Sequence, residues 1–191
     1  MTTYMTPEQL RAEGKGKADE HRFVPPYDED VIWDMTWFED DATKGVVLAV
    51  LFITLPCLPP SKNKWDRSPN TKPMSGKQIQ AMRRQAWYDP WHNWFAGRYA
   101  MLRRKARAAV TFGKQKVQVE ITFHFPDERN RDTVQNYAGY PPLMDALTNK
   151  HTGIIHDDGR KWCRLVVNPD AVIDGTRQTV IRITPLDGEK E

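Results

Sequence analysis

Between Lys116 and Phe125 apolar and polar residues alternate, with Val117, Val119, Ile121, Phe123 and Phe125 on one side. A period of two places all five on the same face of a pleated strand, so this stretch predicts a half-buried β-strand. Val46 to Leu55 is apolar nearly throughout and predicts a buried strand. The prolines beyond it, Pro56, Pro59 and Pro60, cannot continue a central strand and fix a turn into a basic loop. Residues 65–74 read as irregular. From Ser75 to Ala109 the pattern is helical: Ser75 with Gln78 resembles a capping box, and Trp91, Trp94 and Phe95 fall at i, i+3 and i+4 as a core stripe. Asp89-Pro90 is expected to kink or split this helix. Residues 135–149 read as helical, interrupted at Pro141-Pro142. Trp162 to Val167 and Gln178 to Ile183 predict two further strands, with Asn168 to Gly175 as the turn between them.

The order strand, helix, strand, helix, strand, strand predicts an α/β (α+β) layer fold, a mixed sheet packed against helices. Residues 46–191 form the predicted domain. Residues 1–45 read as an N-terminal acidic and aromatic extension. Within it, Thr6-Pro7-Glu8 predicts the start of a short helix that stops near Gly14. Trp33, Trp37 and Phe38 are expected to pack on the body; the other reading lays this acidic stretch over a basic groove.

Composition narrows the class. The chain has 191 residues with 39% hydrophobic side chains, enough for one core with additional sequence. It has no run of about 18 apolar residues and no basic-then-apolar start, so neither a membrane-spanning helix nor a secretory signal is expected. Cys57 and Cys163 lie far apart and outside any CxxC spacing, which argues against a disulfide framework or a zinc site and for a reducing cytoplasm. Charge is uneven. Residues 1–41 hold eleven acidic and four basic side chains, a charge of −7, so the other 150 carry +10 within the formal total of +3. A basic body points to a polyanionic partner.

Three places set carboxylates beside cations: Asp127-Glu128-Arg129-Asn130-Arg131-Asp132 after the alternating strand, Asp145 late in the next helical segment, and His156-Asp157-Asp158-Gly159-Arg160-Lys161 before another strand. Hydrolysis of a phosphodiester is served by a hard cation on oxygen ligands, which acidifies a bound water and neutralises charge at phosphorus. Neighbouring Arg and Lys attract the phosphate backbone. Each patch alone is ordinary: Asp-Asp in a loop is usually a turn, Asp132 before a helix an N-cap, Asp145 a surface carboxylate, and His151 and His156 loop histidines.

Together they carry a resemblance. Leu55-Pro56 through Pro59-Pro60-Ser61-Lys62-Asn63, Arg129-Asn130-Arg131-Asp132, Asp145-Ala146-Leu147-Thr148 and Ile155-His156-Asp157-Asp158 follow one another as in the RusA family of Holliday junction resolvases, across residues 47–185. The resemblance implies a homodimeric, Mg²⁺- or Mn²⁺-dependent endonuclease that nicks four-way DNA junctions symmetrically in recombination and repair, common in bacteriophages and prophages. It implies Asp132, Asp157 and Asp158 as catalytic carboxylates, with Asp132 and Asp158 on the metal. Lys62, Asn63, Lys64, Arg129 and Arg131 would hold DNA, beside Lys150, Arg160 and Lys161 from the local charge pattern. Two positions depart from the family: Val134 stands where a second metal-binding Asp is usual, and Pro141 where a Lys is usual. Lys150 and His151 are the candidates to replace that missing cation. Two other readings follow from the same residues: a junction binder of this fold that does not cleave, and a phage structural module whose acidic arm meets a protein partner.

Overall fold

A computed structural model describes residues 25–26, 28–40, 45–59, 76–106, 110–127, 141–148, 150–169 and 171–186. Its frame is a six-stranded mixed sheet. The strands are β1 (Ile32–Asp40), β2 (Gly45–Leu55), β3 (Val117–Phe125), β4 (Cys163–Val167), β5 (Val172–Ile173) and β6 (Gln178–Pro185). They run in the order β1-β2-β6-β3-β4, with β5 also on β3. The β1–β2, β2–β6 and β6–β3 pairs are antiparallel, and β4 and β5 lie parallel to β3. A parallel neighbour requires a crossover. The chain between β3 and β4 supplies it and carries the short helix α3 (Pro141–Leu147). The fold is therefore α+β.

The alternation in β3 does what its period dictates. Val117, Val119, Ile121, Phe123 and Phe125 are all buried, together with Leu51, Ile53 and Leu55 of β2 and Ile181 and Ile183 of β6. The opposite face meets solvent: Arg182 pairs with Glu120 at 3.1 Å and lies over the exposed Phe52 ring. One covered face and one wet face is the usual arrangement for antiparallel strands.

The covering helix is α2 (Asp89–Ala106), which buries Trp91, Trp94, Phe95, Tyr99 and Leu102. It follows α1 (Gly76–Arg83) through a π-helical turn, Arg84–Tyr88. The break falls where Asp89-Pro90 predicts one. A proline ring collides with the carbonyl four residues back and offers no N–H, and a wider turn relieves both conflicts.

Two expectations change. Residues 32–40, read as part of an extension, are the sheet's edge strand β1, and Trp33 rests on Phe95 and Tyr99 of α2 at ring distances of 5.7 and 6.1 Å. Arg98 of α2 also holds the segment ahead of β1, through the Asp30 carboxylate at 2.9 Å and the Glu29 carbonyl at 3.0 Å. Pro141-Pro142, read as an interruption, opens α3. The first turn of a helix has no intrahelical acceptors for its N–H groups, so two prolines there cost nothing in hydrogen bonds. The predicted helix around Thr6-Pro7-Glu8, the Ser75 cap and the basic loop at Lys62 to Lys64 lie outside the described residues.

Candidate functional site

The carbonyl of Pro142 locks α3 onto α2. It accepts the Trp91 indole N–H at 3.1 Å and His92 Nε2–H at 2.9 Å, using both lone pairs. Leu143, Ala146 and Leu147 bury the other side of α3 in the core. Asp145, at the half-buried margin, faces the π-helical turn, where the Tyr88 hydroxyl donates to its Oδ2 at 2.8 Å.

Beyond α3 the loop to β4 is fastened by its own backbone. His151 and Gly153 donate to the Thr148 carbonyl at 3.0 and 2.9 Å, and Ile155 donates to that of Leu147 at 2.9 Å. Gly153 has φ 72°, a left-handed conformation that side chains resist. Ile154 and Ile155 are buried, and Phe112 donates to the Ile154 carbonyl at 2.9 Å. A loop held at both apolar and polar points presents His151 and Asp157-Asp158 from a firm base.

His151 meets the helical side of the site. Its Nδ1 lies 3.1 Å from His92 Nδ1, and its Nε2 lies 3.4 Å from the Tyr88 oxygen. Tyr88 stacks on His92 at 3.8 Å, and the His151 ring stands edge-on to His92 at 3.9 Å. Burial pulls the His92 imidazole down to about 4, helped by the neighbouring His151. His151 is lowered as well, by burial first, with Arg84 and Lys150 acting the same way and Asp145 opposing them. Burial and the hydrogen bond to Asp145 raise the Tyr88 phenol, which keeps its proton.

A stability prediction follows from His92. Its value in the fold, about 4, lies below the 6.5 of an exposed histidine. Above pH 6.5 both folded and unfolded chains hold it neutral, and its contribution is fully present. As pH falls, the unfolded chain takes the proton first, so stability is lost from about pH 6.5 down to about pH 4. The full shift corresponds to about 3 kcal/mol, and contact with solvent screens that to roughly 1–2 kcal/mol. Thermal melts should therefore show wild type losing roughly 2–8 °C more than His92→Gln between pH 7 and pH 4.5. Parallel curves would remove His92 as the cause.

Asp157 and Asp158 occupy the start of the turn into β4. Asp157 Oδ1 accepts the Gly159 N–H at 2.9 Å, the local turn that an Asp-Asp-Gly run favours. That N–H, and then the Asp158 side chain, hold the Asp157 carboxyl below its ordinary range. Asp158 is raised, first by burial and then by its hydrogen bond with Asp157, with Asp145 adding like charge.

Asp158 also lines a cavity of about 520 Å³ with Lys116, Arg160 and Arg164, together with Cys163, Leu165 and Leu186. Burial and Asp158 push the Cys163 thiol up to about 11, so it is neutral and no nucleophile at neutral pH. The three cations stand on three segments: Lys116 leads into β3, Arg160 is in the turn, and Arg164 is on β4.

Of the residues picked from the sequence, Asp158 and Arg160 line this cavity, and Asp157 is hydrogen-bonded to Asp158. Lys150 acts electrostatically on both Asp157 and His151. Lys161 lies over the Trp162 ring at 5.0 Å, and His156 packs edge-on against the same ring at 4.4 Å. Asp132, Lys62, Asn63, Lys64, Arg129, Arg131 and Val134 lie outside the described residues. Asp145, read as a surface carboxylate, is a half-buried hydrogen-bond acceptor. Tyr88, His92, Lys116 and Arg164 were not anticipated. The signal for the first two was present: Tyr88 and His92 are spaced i, i+4 and share a helix face.

Among the described residues no three His, Cys, Asp or Glu side chains form a group able to hold a metal ion. Asp157 and Asp158 are oxygen donors of the kind Mg²⁺ takes, one or two carboxylates with water and phosphate completing the shell. Among the described residues no helix is long and apolar enough to cross a membrane. No protein-family model matches the chain, and no curated protein matches it.

Proposed function

We propose that this protein is a metal-dependent endodeoxyribonuclease of the RusA type that acts on four-way and other branched DNA. The observation that carries the reading is the cavity at Asp158, where that carboxylate meets Lys116, Arg160 and Arg164. Three cations from separate segments suit successive phosphates of one strand. Asp158, exposed beside them, is where an oxygen-ligated cation would sit, with Asp132 as the second ligand and Asp157 alongside. When bound, Mg²⁺ or Mn²⁺ would lower the pKa of a water and offset charge at phosphorus. The residues of the chain itself grip the backbone and orient it across Asp158. Paired symmetric nicks need two such sites, which a homodimer supplies. A bacterial cytoplasm, with a phage or prophage source, suits such an enzyme.

A labelled synthetic four-way junction with Mg²⁺ or Mn²⁺, beside an EDTA control, tests the reading. Cleavage in metal alone is expected, and a wild type that cuts no branched DNA at any metal concentration overturns it. Binding gives a separate check on the cavity. Each phosphate contact contributes about 0.9 to the slope of log affinity against log salt. Replacing Lys116 and Arg164 by Ala should flatten that slope by about 1–2, measured by fluorescence anisotropy in EDTA. An unchanged slope would place the DNA elsewhere.

A further inference from the structure

His92 and His151 bring two ring nitrogens together from positions 59 residues apart, with Nδ1 to Nδ1 at 3.1 Å. The Pro142 carbonyl can only accept, so His92 keeps its proton on Nε2 and presents a lone pair at Nδ1. Tyr88 gives its single proton to Asp145 at 2.8 Å, so toward His151 Nε2, 3.4 Å away, the phenol oxygen also only accepts. Neutral His151 therefore has one proton for two acceptors, His92 Nδ1 and the Tyr88 oxygen. Whichever it serves, two lone pairs face each other at the other contact. A cation between the two Nδ1 atoms removes the conflict. The His151 proton then sits on Nε2 and points at Tyr88, and both Nδ1 lone pairs bind the cation.

Burial lowers both imidazoles, His92 to about 4, so near pH 7 that cation is not a proton. Neutral imidazole is what a borderline transition-metal ion takes, through either ring nitrogen, while the other N–H is held by a carbonyl or carboxylate. Both rings have such a partner: His92 the Pro142 carbonyl, His151 the Tyr88 oxygen backed by Asp145. Two imidazole nitrogens on one tetrahedral Zn²⁺, each about 2.0–2.1 Å from it, stand about 3.3–3.4 Å apart. The observed 3.1 Å is close to that separation. We propose that His92 and His151 form a binding site for a divalent ion of the zinc class, Zn²⁺, Ni²⁺ or Cu²⁺, sharing no ligand with the oxygen site at Asp158. The inference does not rest on the nuclease reading. His92, 5% exposed and stacked on Tyr88, is the fixed ligand, and the exposed His151 turns slightly to meet the ion. Two protein ligands are fewer than a closed structural site uses, so water or a small anion completes the shell. Asp145 and Asp89 draw a cation toward the pair, and Arg84 and Lys150 oppose it. A bound ion ties the loop after α3 to α2 and stabilises the fold by mass action.

The metal alone is the probe. Full-length protein, stripped with EDTA and dialysed, is titrated with Zn²⁺ and followed by long-range ¹H–¹⁵N spectra and by thermal melts. The Nδ1 resonances of His92 and His151 should move together and saturate at one ion per chain, with both rings protonated on Nε2. The melting midpoint should rise along the same titration. His151→Ala, at an exposed position that leaves the fold in place, should abolish both responses. Tyr88→Phe removes the acceptor that sets the His151 tautomer and should weaken Zn²⁺ binding about 10–100-fold. Asp158→Asn should leave both responses intact, and Mg²⁺ should elicit neither. Nδ1 resonances that stay in place through a large excess of Zn²⁺ overturn the site. So does a response that His151→Ala retains, that Asp158→Asn abolishes, or that Mg²⁺ matches.

Discussion

Trp91→Ala is expected to cost about 3–5 kcal/mol, the range for removing a fully buried aromatic. Trp91 has no exposed surface and lies between Trp94 and Phe95, with ring distances of 5.4 and 6.2 Å. Its indole N–H also holds the Pro142 carbonyl, so the substitution removes one of the two hydrogen bonds that clamp α3 as well as opening the core. For a domain of this size, denaturation should fall by roughly 6–20 °C, with junction cleavage lost well below the new midpoint. Trp91→Phe keeps most of the volume and removes the hydrogen bond, and should cost about 1–2 kcal/mol. Equal losses in the two variants would mean that the N–H, rather than the ring, dominates.

Asp158→Asn is expected to lower junction cleavage on the order of 10²–10⁴-fold while leaving the fold intact. The amide keeps the shape of the carboxyl and removes the charge that burial, Asp157 and Asp145 all disfavour, so thermal stability should hold or rise slightly. Affinity for the junction in EDTA should hold too, since Lys116, Arg160 and Arg164 remain. Asp157→Asn should act more weakly, because much of the Asp157 carboxylate's bonding is to the Gly159 N–H. Steady-state rates beside melts separate a chemical loss from a folding loss. An equal drop in stability and activity for Asp158→Asn would make Asp158 structural.

Strands β2, β3 and β6 were legible because each buries one face. The five inward residues of β3 and the apolar run of β2 allow no other register without exposing the core. Trp91, Trp94 and Phe95 marked the inner side of α2 for the same reason. Pro141-Pro142 misled because proline breaks a helix interior but suits its first turn, and the pattern alone does not say where a helix begins. β1 was set apart by its acidic neighbours, although Trp33 is what anchors it to α2. For the site, local chemistry picked out Asp157-Asp158 and read Asp145 and His151 as ordinary surface and loop residues. Their hydrogen-bond partners are Tyr88 and His92, 57 and 59 residues earlier in the chain, brought close by the clamp on Pro142. Lys116 and Arg164 joined Asp158 only through the β3–β4 pairing, which no local pattern reveals.

The most direct measurement follows binding and cleavage of one labelled four-way junction by wild type, Asp158→Asn and the Lys116→Ala/Arg164→Ala double variant, with Mg²⁺ for cleavage and EDTA for binding. The expected pattern is a split: wild type binds and cuts, Asp158→Asn binds and does not cut, and the double variant binds weakly with a flatter salt dependence. A wild type that binds without cutting in any metal, or an Asp158→Asn that cuts at the wild-type rate, would contradict a nuclease centred on Asp158.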